Sequence, residues 1–138
     1  MKDTLERARA AGSEVVYLSF DPATDAGRDR FAGVESVGVG VYKGRVADFT
    51  VVYGGATWRT IDEWVAKLSE SFNLPGGQEW VAGPSENPNK VLRCGNIEIE
   101  AAIQGGSGSI RVRNTEPLRE AQERARAEEE RRRRAFKP

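Results

Sequence analysis

The segment that decides the fold is residues 34–53, VESVGVGVYKGRVADFTVVY. Apolar residues occupy alternate positions on both sides of a central Lys-Gly pair, at Val37, Val39, Val41, Ala47, Phe49, Val51 and Tyr53. A period of two is typical of a strand with one buried face. The segment therefore predicts a β-hairpin, which we expect at the centre of the sheet.

The parity of the two strands distinguishes between two turns. A two-residue loop over residues 43–44 would place Val39 opposite Asp48, whereas a three-residue loop over residues 42–44 places Val39 opposite Ala47. Only the longer loop keeps all apolar residues on one face, and it corresponds to a type I turn followed by a G1 bulge. We therefore predict the three-residue loop.

The other face of the first strand carries Gly38 and Gly40. Glycine weakens the interior of a strand unless another group approaches closely. Two interpretations stay open: a ligand or partner backbone lies over the glycines, or the face is covered by a closely packed helix or exposed to solvent.

Residues 60–72 predict the clearest helix of the chain. Thr60 and Glu63 form a capping box at its start. The apolar residues recur at helical spacing, at Ile61, Trp64, Val65, Leu68 and Phe72. We expect this stripe to pack across the apolar face of the hairpin.

Strand-like runs complete the pattern, at residues 14–20, 78–82, 91–94, 96–103 and 110–113. They predict an α+β domain, an antiparallel β-sheet of about five to seven strands packed on one face by the amphipathic helix. The glycine-rich residues 105–109 predict a flexible turn. Across that turn we expect Ile103 to face Ile110 and Glu100 to face Arg113.

Two N-terminal segments give weaker patterns. Residues 3–11 predict a short helix that ends before Gly12. Residues 21–30 place aspartates at every fourth position, but a calcium loop needs closer oxygen spacing and a glycine that is absent here. A solvated loop is therefore the favoured interpretation.

The composition excludes several functions. The 138 residues include 21 basic and 21 acidic side chains, so no bulk charge draws the chain to nucleic acid. The sequence has no histidine, which removes the usual general base and the commonest metal ligand. The one cysteine, Cys94, excludes an internal disulfide and a cysteine zinc site, and its apolar neighbours predict a buried small hydrophobe. We assign no catalytic residue, metal or cofactor.

No apolar run reaches the roughly 18–20 residues that a membrane helix needs. No signal-peptide core is visible either. We expect a soluble chain, either cytoplasmic or an exported domain after trimming.

The composition changes at residue 117. Residues 117–138 hold eight basic and five acidic side chains, whereas residues 1–116 hold 13 basic and 16 acidic ones. This predicts one α+β domain over residues 1–116 with a charged C-terminal helix, residues 117–138, as an appendage. That helix is either solvated or docks on an acidic partner through Arg131, Arg132, Arg133, Arg134, Phe136 and Lys137. Nucleic acid is disfavoured because the helix's own glutamates neutralise much of its field, and no apolar face suits a membrane surface.

Residues 39–46, VGVYKGRV, resemble the strand-turn-strand of small bacterial envelope lipoproteins of the SmpA/OmlA type and of β-lactamase-inhibitor-like domains. The Gly-Met-Ser/Thr helix motif and the lipobox cysteine of those proteins are missing. Domains of this type act by binding other proteins, so the resemblance implies a bacterial binding domain without catalysis.

Three function classes follow. The first is a non-catalytic protein-interaction or scaffolding module with a protein partner or a second copy of the chain; its candidate surfaces are an exposed Trp58 beside Arg59, the Gly38/Gly40 face and the arginine tail. The second is a small-ligand carrier with an apolar cavity between helix and sheet. The third is an enzyme that uses converging carboxylates, with Asp21 or Asp48 beside Tyr17 or Tyr53.

Overall fold

The computed structural model describes residues 6–7, 15–21 and 32–138, and there it shows an antiparallel sheet of seven strands with two long helices. This confirms the predicted α+β class. The elements in chain order are β1 Val15–Phe20, β2 Val34–Tyr42, β3 Arg45–Tyr53, α1 Ile61–Phe72, a 3-10 turn Gly77–Glu79, β4 Val81–Ala82, β5 Asn89–Cys94, β6 Ile97–Gln104, β7 Ser107–Asn114 and α2 Thr115–Ala135.

The two N-terminal predictions lie almost entirely outside the described residues. Glu6 and Arg7 are helical, which agrees with a helix at that point, and Asp21 follows β1. The predicted strand at residues 78–82 is shorter than expected, since only Val81–Ala82 pairs with β5.

The sheet has the strand order β1-β2-β3-β7-β6-β5-β4, and all neighbours are antiparallel. The expectation that the β2–β3 hairpin forms the centre is wrong, because β7 occupies that position. It pairs with β3 on one side and with β6 on the other, so it joins the two halves of the sheet.

The β2–β3 turn has two residues, Lys43 and Gly44, both with positive φ. Such a turn matches the right-handed twist of its strands. The predicted three-residue loop is therefore wrong, but the single apolar face is real. A bulge at Ala47 restores the parity, so that Val39 lies opposite Phe49.

The β6–β7 turn is also a two-residue turn, formed by Gly105 and Gly106 with positive φ. Strand β7 begins at Ser107, inside the segment predicted as a flexible turn. Ile103 consequently faces Gly108 instead of the isoleucine two positions later. A shift of two residues preserves the faces of both strands.

Helix α1 begins and ends as its sequence predicts. The Thr60 hydroxyl accepts a hydrogen bond of 3.2 Å from the backbone N–H of Glu63. The helix stops at Asn73, which adopts the left-handed conformation typical of a C-terminal cap.

Helix α1 lies over β5, β6 and β7. The expected packing across the β2–β3 hairpin is limited to β3, where Val51 and Tyr53 pack against the core. Small residues on those strands admit its large side chains. Gly108 lies directly beneath the Trp64 indole, and a Cβ at that position would come within 2.6 Å of the ring. The resulting core consists of Trp64, Val65, Leu68, Trp80, Leu92, Ala101, Ile103 and Ile110.

We predict that Leu68→Ala lowers the free energy of unfolding by about 2–5 kcal/mol, because Leu68 is only 2% exposed at the centre of this core. Phe72→Ala is the matched control, since Phe72 belongs to the same predicted stripe but is 53% exposed. Urea denaturation should show a loss below about 1 kcal/mol for the control. Equal losses for the two variants would contradict the position of the core.

Candidate functional site

A groove of about 270 Å³ opens between α1 and the end of β3, and we call it the aromatic groove. Four aromatic residues line it: Tyr53, Trp58, Trp64 and Phe72. The other described lining residues are small or apolar, apart from Lys67 and Ser71 on α1. Apolar walls with few polar groups are typical of binding sites for small molecules and side chains.

Trp64 fixes the geometry of the groove. Its indole Nε1 donates a hydrogen bond of 2.9 Å to the backbone oxygen of Ser109. The Trp58 ring lies 5.1 Å from the Trp64 ring at 42°, and the Tyr53 ring lies 5.5 Å from it at 63°. The Tyr53–Trp64 pair has the edge-on arrangement that aromatic pairs prefer, and the Trp58–Trp64 pair is tilted, so both neighbouring rings pack on Trp64.

Trp58 was predicted as an exposed aromatic residue, and this is wrong. It is half-buried because it packs against Trp64, and its backbone N–H donates to the oxygen of Gly106 at 2.9 Å. Arg59 beside it is exposed, as the prediction required.

Sequence reasoning missed three residues of the groove. Tyr53 was placed with the apolar face of its strand, and Phe72 was expected in the core. Lys67 carries no sequence signal, because a lysine on the outer side of a helix is ordinary. Burial raises the pKa of the Tyr53 hydroxyl above its usual value of 10.0, which reflects the apolar surroundings.

The Gly38/Gly40 face is the side of the sheet opposite to α1, since both glycines alternate with Val37, which lies opposite Val51 in contact with the core. The group that approaches Gly40 is the Asp48 carboxylate, and a Cβ on Gly40 would come within 2.6 Å of its Oδ1. A Cβ on Gly38 would be 3.9 Å from its nearest neighbour, a backbone oxygen. Gly40 thus accommodates a side chain of this chain, whereas a Cβ on Gly38 would make only an ordinary van der Waals contact.

Asp48 is buried and accepts a hydrogen bond of 2.8 Å from Arg111 Nη2. It therefore pairs with a cation and not with a second carboxylate, and Tyr53 lies on the opposite face of the sheet. Among the described residues, no group of three potential ligands converges on a metal site. Cys94 is exposed, which contradicts its prediction as a buried residue.

Ion pairs extend across the same face. Glu98 pairs with Arg93 at 3.1 Å and lies 3.8 Å from Arg113. The register places Glu98 opposite Arg113 and Glu100 opposite Arg111, so the expected pairing of Glu100 with Arg113 is wrong by two residues. Arg111 and Arg113 each have a carboxylate partner, so the charges on this face of the sheet are paired.

The arginine tail consists of Arg131–Arg134, Phe136 and Lys137. It lies at the C-terminal end of α2, away from the other candidate residues. At the start of the helix, the Thr115 N–H donates a hydrogen bond of 2.8 Å to the backbone oxygen of Asn96. The Asn114 side chain caps the helix by accepting a hydrogen bond from the N–H of Glu116. From residue 119 onward every side chain is exposed except the half-buried Ala121. Phe136, near its end, is 75% exposed.

The last turns of α2 carry three ion pairs at i,i+4 spacing. Arg132, Arg133 and Arg134 reach back to Glu128, Glu129 and Glu130 at 3.1, 3.0 and 2.6 Å. Arg131 donates through Nε to the backbone oxygen of Ala127 at 3.5 Å. The structure therefore assembles the four arginines on one exposed helix end, but it does not bring them to the groove or to the glycine face.

A polar depression of about 440 Å³ lies at the base of α2, between the helix and the β2–β3 turn. Lys43 and Arg45 line one side, and Glu116 and Glu120 line the other. The two signs of charge balance, so this depression favours neither an anion nor a cation.

Comparison with protein families, with curated proteins and with solved structures gives no match for this chain. The resemblance of residues 39–46 to envelope domains therefore stays a prediction, as do the bacterial origin and the division at residue 117. Within the described ranges, no helix is both long and apolar enough to span a membrane. The fold and the site define an α+β domain with an aromatic groove on one face and an exposed helix that carries four arginines near its end.

We predict that Gly40→Ala destabilises the protein by about 1–3 kcal/mol, because the added methyl group displaces the buried Asp48 carboxylate from Arg111. Gly38→Ala is the matched control in the same strand, and we expect it to be neutral or stabilising. Thermal unfolding measures both. A destabilising Gly38→Ala with a neutral Gly40→Ala would refute this account of the glycine face.

The raised pKa of Tyr53 gives a pH dependence. Above pH 10.0 the unfolded chain releases this proton before the folded protein does, so the free energy of unfolding should fall as the pH rises through the folded-state pKa. Tyr53→Phe should flatten this decline in urea titrations at alkaline pH. Tyr17→Phe is the control, because Tyr17 is 68% exposed; if both variants kept the wild-type slope, the hydroxyl of Tyr53 would not be desolvated by the fold.

Proposed function

We propose that this protein is a non-catalytic protein-interaction or scaffolding module that docks through α2. The observation that carries the proposal is the exposure of α2: a helix of 21 residues buries almost none of its surface beyond its first turns. A helix normally gains most of its stability by packing an apolar face. A long helix without such packing in its own chain is suited to contact another molecule.

The helix supports itself in the absence of packing. Glutamate-to-arginine pairs at i,i+4 stabilise a helix by a few tenths of a kcal/mol each, and cations in the last turn interact favourably with the helix dipole. At 1.5 Å per residue, α2 extends for about 32 Å. It therefore acts as an arm that holds its arginine-rich end away from the sheet.

The residues at the C-terminal end of α2 indicate the chemistry of the partner's surface. Arg131–Arg134 and Lys137 form a basic cluster beside the exposed Phe136. Three of these arginines pair with glutamates one turn earlier, but the pairs are exposed and weak enough to exchange for the carboxylates of a partner. Such a cluster suits an acidic protein surface with a small apolar depression for the phenylalanine ring. A second copy of the chain is one such partner, because residues 1–116 carry three more acidic than basic side chains.

We predict that a photo-crosslinking amino acid at Phe136, introduced into the full chain in its native cells, forms a discrete protein adduct. The matched control carries the crosslinker at Val46, which is exposed on the sheet. Replacement of all four arginines by glutamine should abolish the adduct, whereas replacement by lysine should retain it, because lysine keeps the charge. Circular dichroism checks that each variant keeps its helix.

Mass spectrometry of the adduct then separates an acidic partner protein from a second copy of this chain. Adducts at Phe136 that are absent, or that equal those at Val46 and persist in the glutamine variant, would contradict docking through α2.

A further inference from the structure

We infer that the aromatic groove binds a small planar apolar molecule that carries one negative charge. This site lies on α1 and the end of β3, remote in sequence from the α2 arm, and it goes beyond the proposed interaction function.

The size of the groove sets the size of the ligand. Its volume of about 270 Å³ equals the space of about nine water molecules, which suits a molecule of one or two fused rings. The walls supplied by Tyr53, Trp58 and Trp64 are aromatic. Flat apolar molecules pack on such walls in offset or edge-on arrangements, which aromatic groups prefer.

The groove is formed before any ligand arrives. Trp64 is held by its hydrogen bond to Ser109, and the backbone of Trp58 is held by Gly106. The opposite wall is tied by a hydrogen bond of 2.9 Å from the N–H of Gly54 to the oxygen of Gly33. A preformed site avoids the entropic cost of ordering side chains on binding.

The charge of the ligand follows from Lys67, which is the one ionised side chain among the described residues that line the groove. Its ammonium group lies 3.6 Å from Glu70 in an exposed pair, which is weak enough to exchange for another anion. On the opposite wall, the Glu35 carboxylate lies beside Gly54. An anionic group on the ligand should therefore point toward α1 and away from β2.

Three naphthalene probes of equal shape test the inference: 2-naphthoate, 2-naphthalenemethanol and 2-naphthylmethylammonium. Saturation-transfer NMR on the full-length protein should detect naphthoate with a Kd on the order of 0.1–1 mM, typical of a ligand of this size. The neutral alcohol should bind up to about fivefold more weakly, and the cation more weakly still. Lys67→Gln should remove the difference between naphthoate and the alcohol.

A blocking variant checks the location. Ser71→Trp places a large side chain on the groove wall and should abolish binding, whereas Ala66→Trp, on the exposed side of the same helix and outside the groove, should leave it unchanged. Binding that survives Ser71→Trp, or naphthoate affinity that does not respond to Lys67→Gln, would overturn the inference. Absence of saturable naphthoate binding would also overturn it, and would leave the groove to an apolar side chain of a protein partner.

Discussion

The structure depends on the contact between the Trp64 indole and Gly108. The indole lies flat on the backbone of the central strand, in space that any other residue would fill, and its N–H is satisfied by the neighbouring Ser109 carbonyl. This contact fixes α1 over β5, β6 and β7. It also places Trp64 where Trp58 and Tyr53 can pack against it, so the packing of the core and the wall of the groove share one origin.

Local patterns predicted the elements better than their assembly. The N-terminal cap at Thr60 and the helical spacing of Trp64 and Leu68 are encoded within a few adjacent residues, and the structure confirms both. The alternation in the hairpin correctly required one apolar face, but a bulge at Ala47 achieves this instead of a longer turn. A pattern of alternation reports which face a residue occupies, and it does not report where an extra residue is inserted.

The glycines show why the packing of the elements against one another could not be predicted from the sequence. The sequence left open whether another group approaches Gly38 and Gly40, and Asp48 approaches Gly40. The glycine crowded by α1 is Gly108, in a segment predicted to be a flexible turn. Gly108 is crowded because of the tertiary position of Trp64, and the residues that neighbour Gly108 in sequence give no indication of that position. The described lining residues of the groove other than Gly33 all lie within residues 53–72, but their convergence depends in the same way on where α1 packs on the sheet. The exposure of α2, by contrast, agrees with one of the interpretations that its sequence left open, since that sequence offers no apolar stripe to bury.

A double-mutant cycle between Trp64 and Gly108 tests the central contact most directly, with urea denaturation of the wild type, Gly108→Ala, Trp64→Leu and the double variant. If the indole occupies the space above Gly108, Gly108→Ala should cost about 1–3 kcal/mol in the wild type and less than about 0.5 kcal/mol when Leu replaces Trp64. Additive losses would show that the two residues do not touch in this way, and would contradict the placement of α1 on β7.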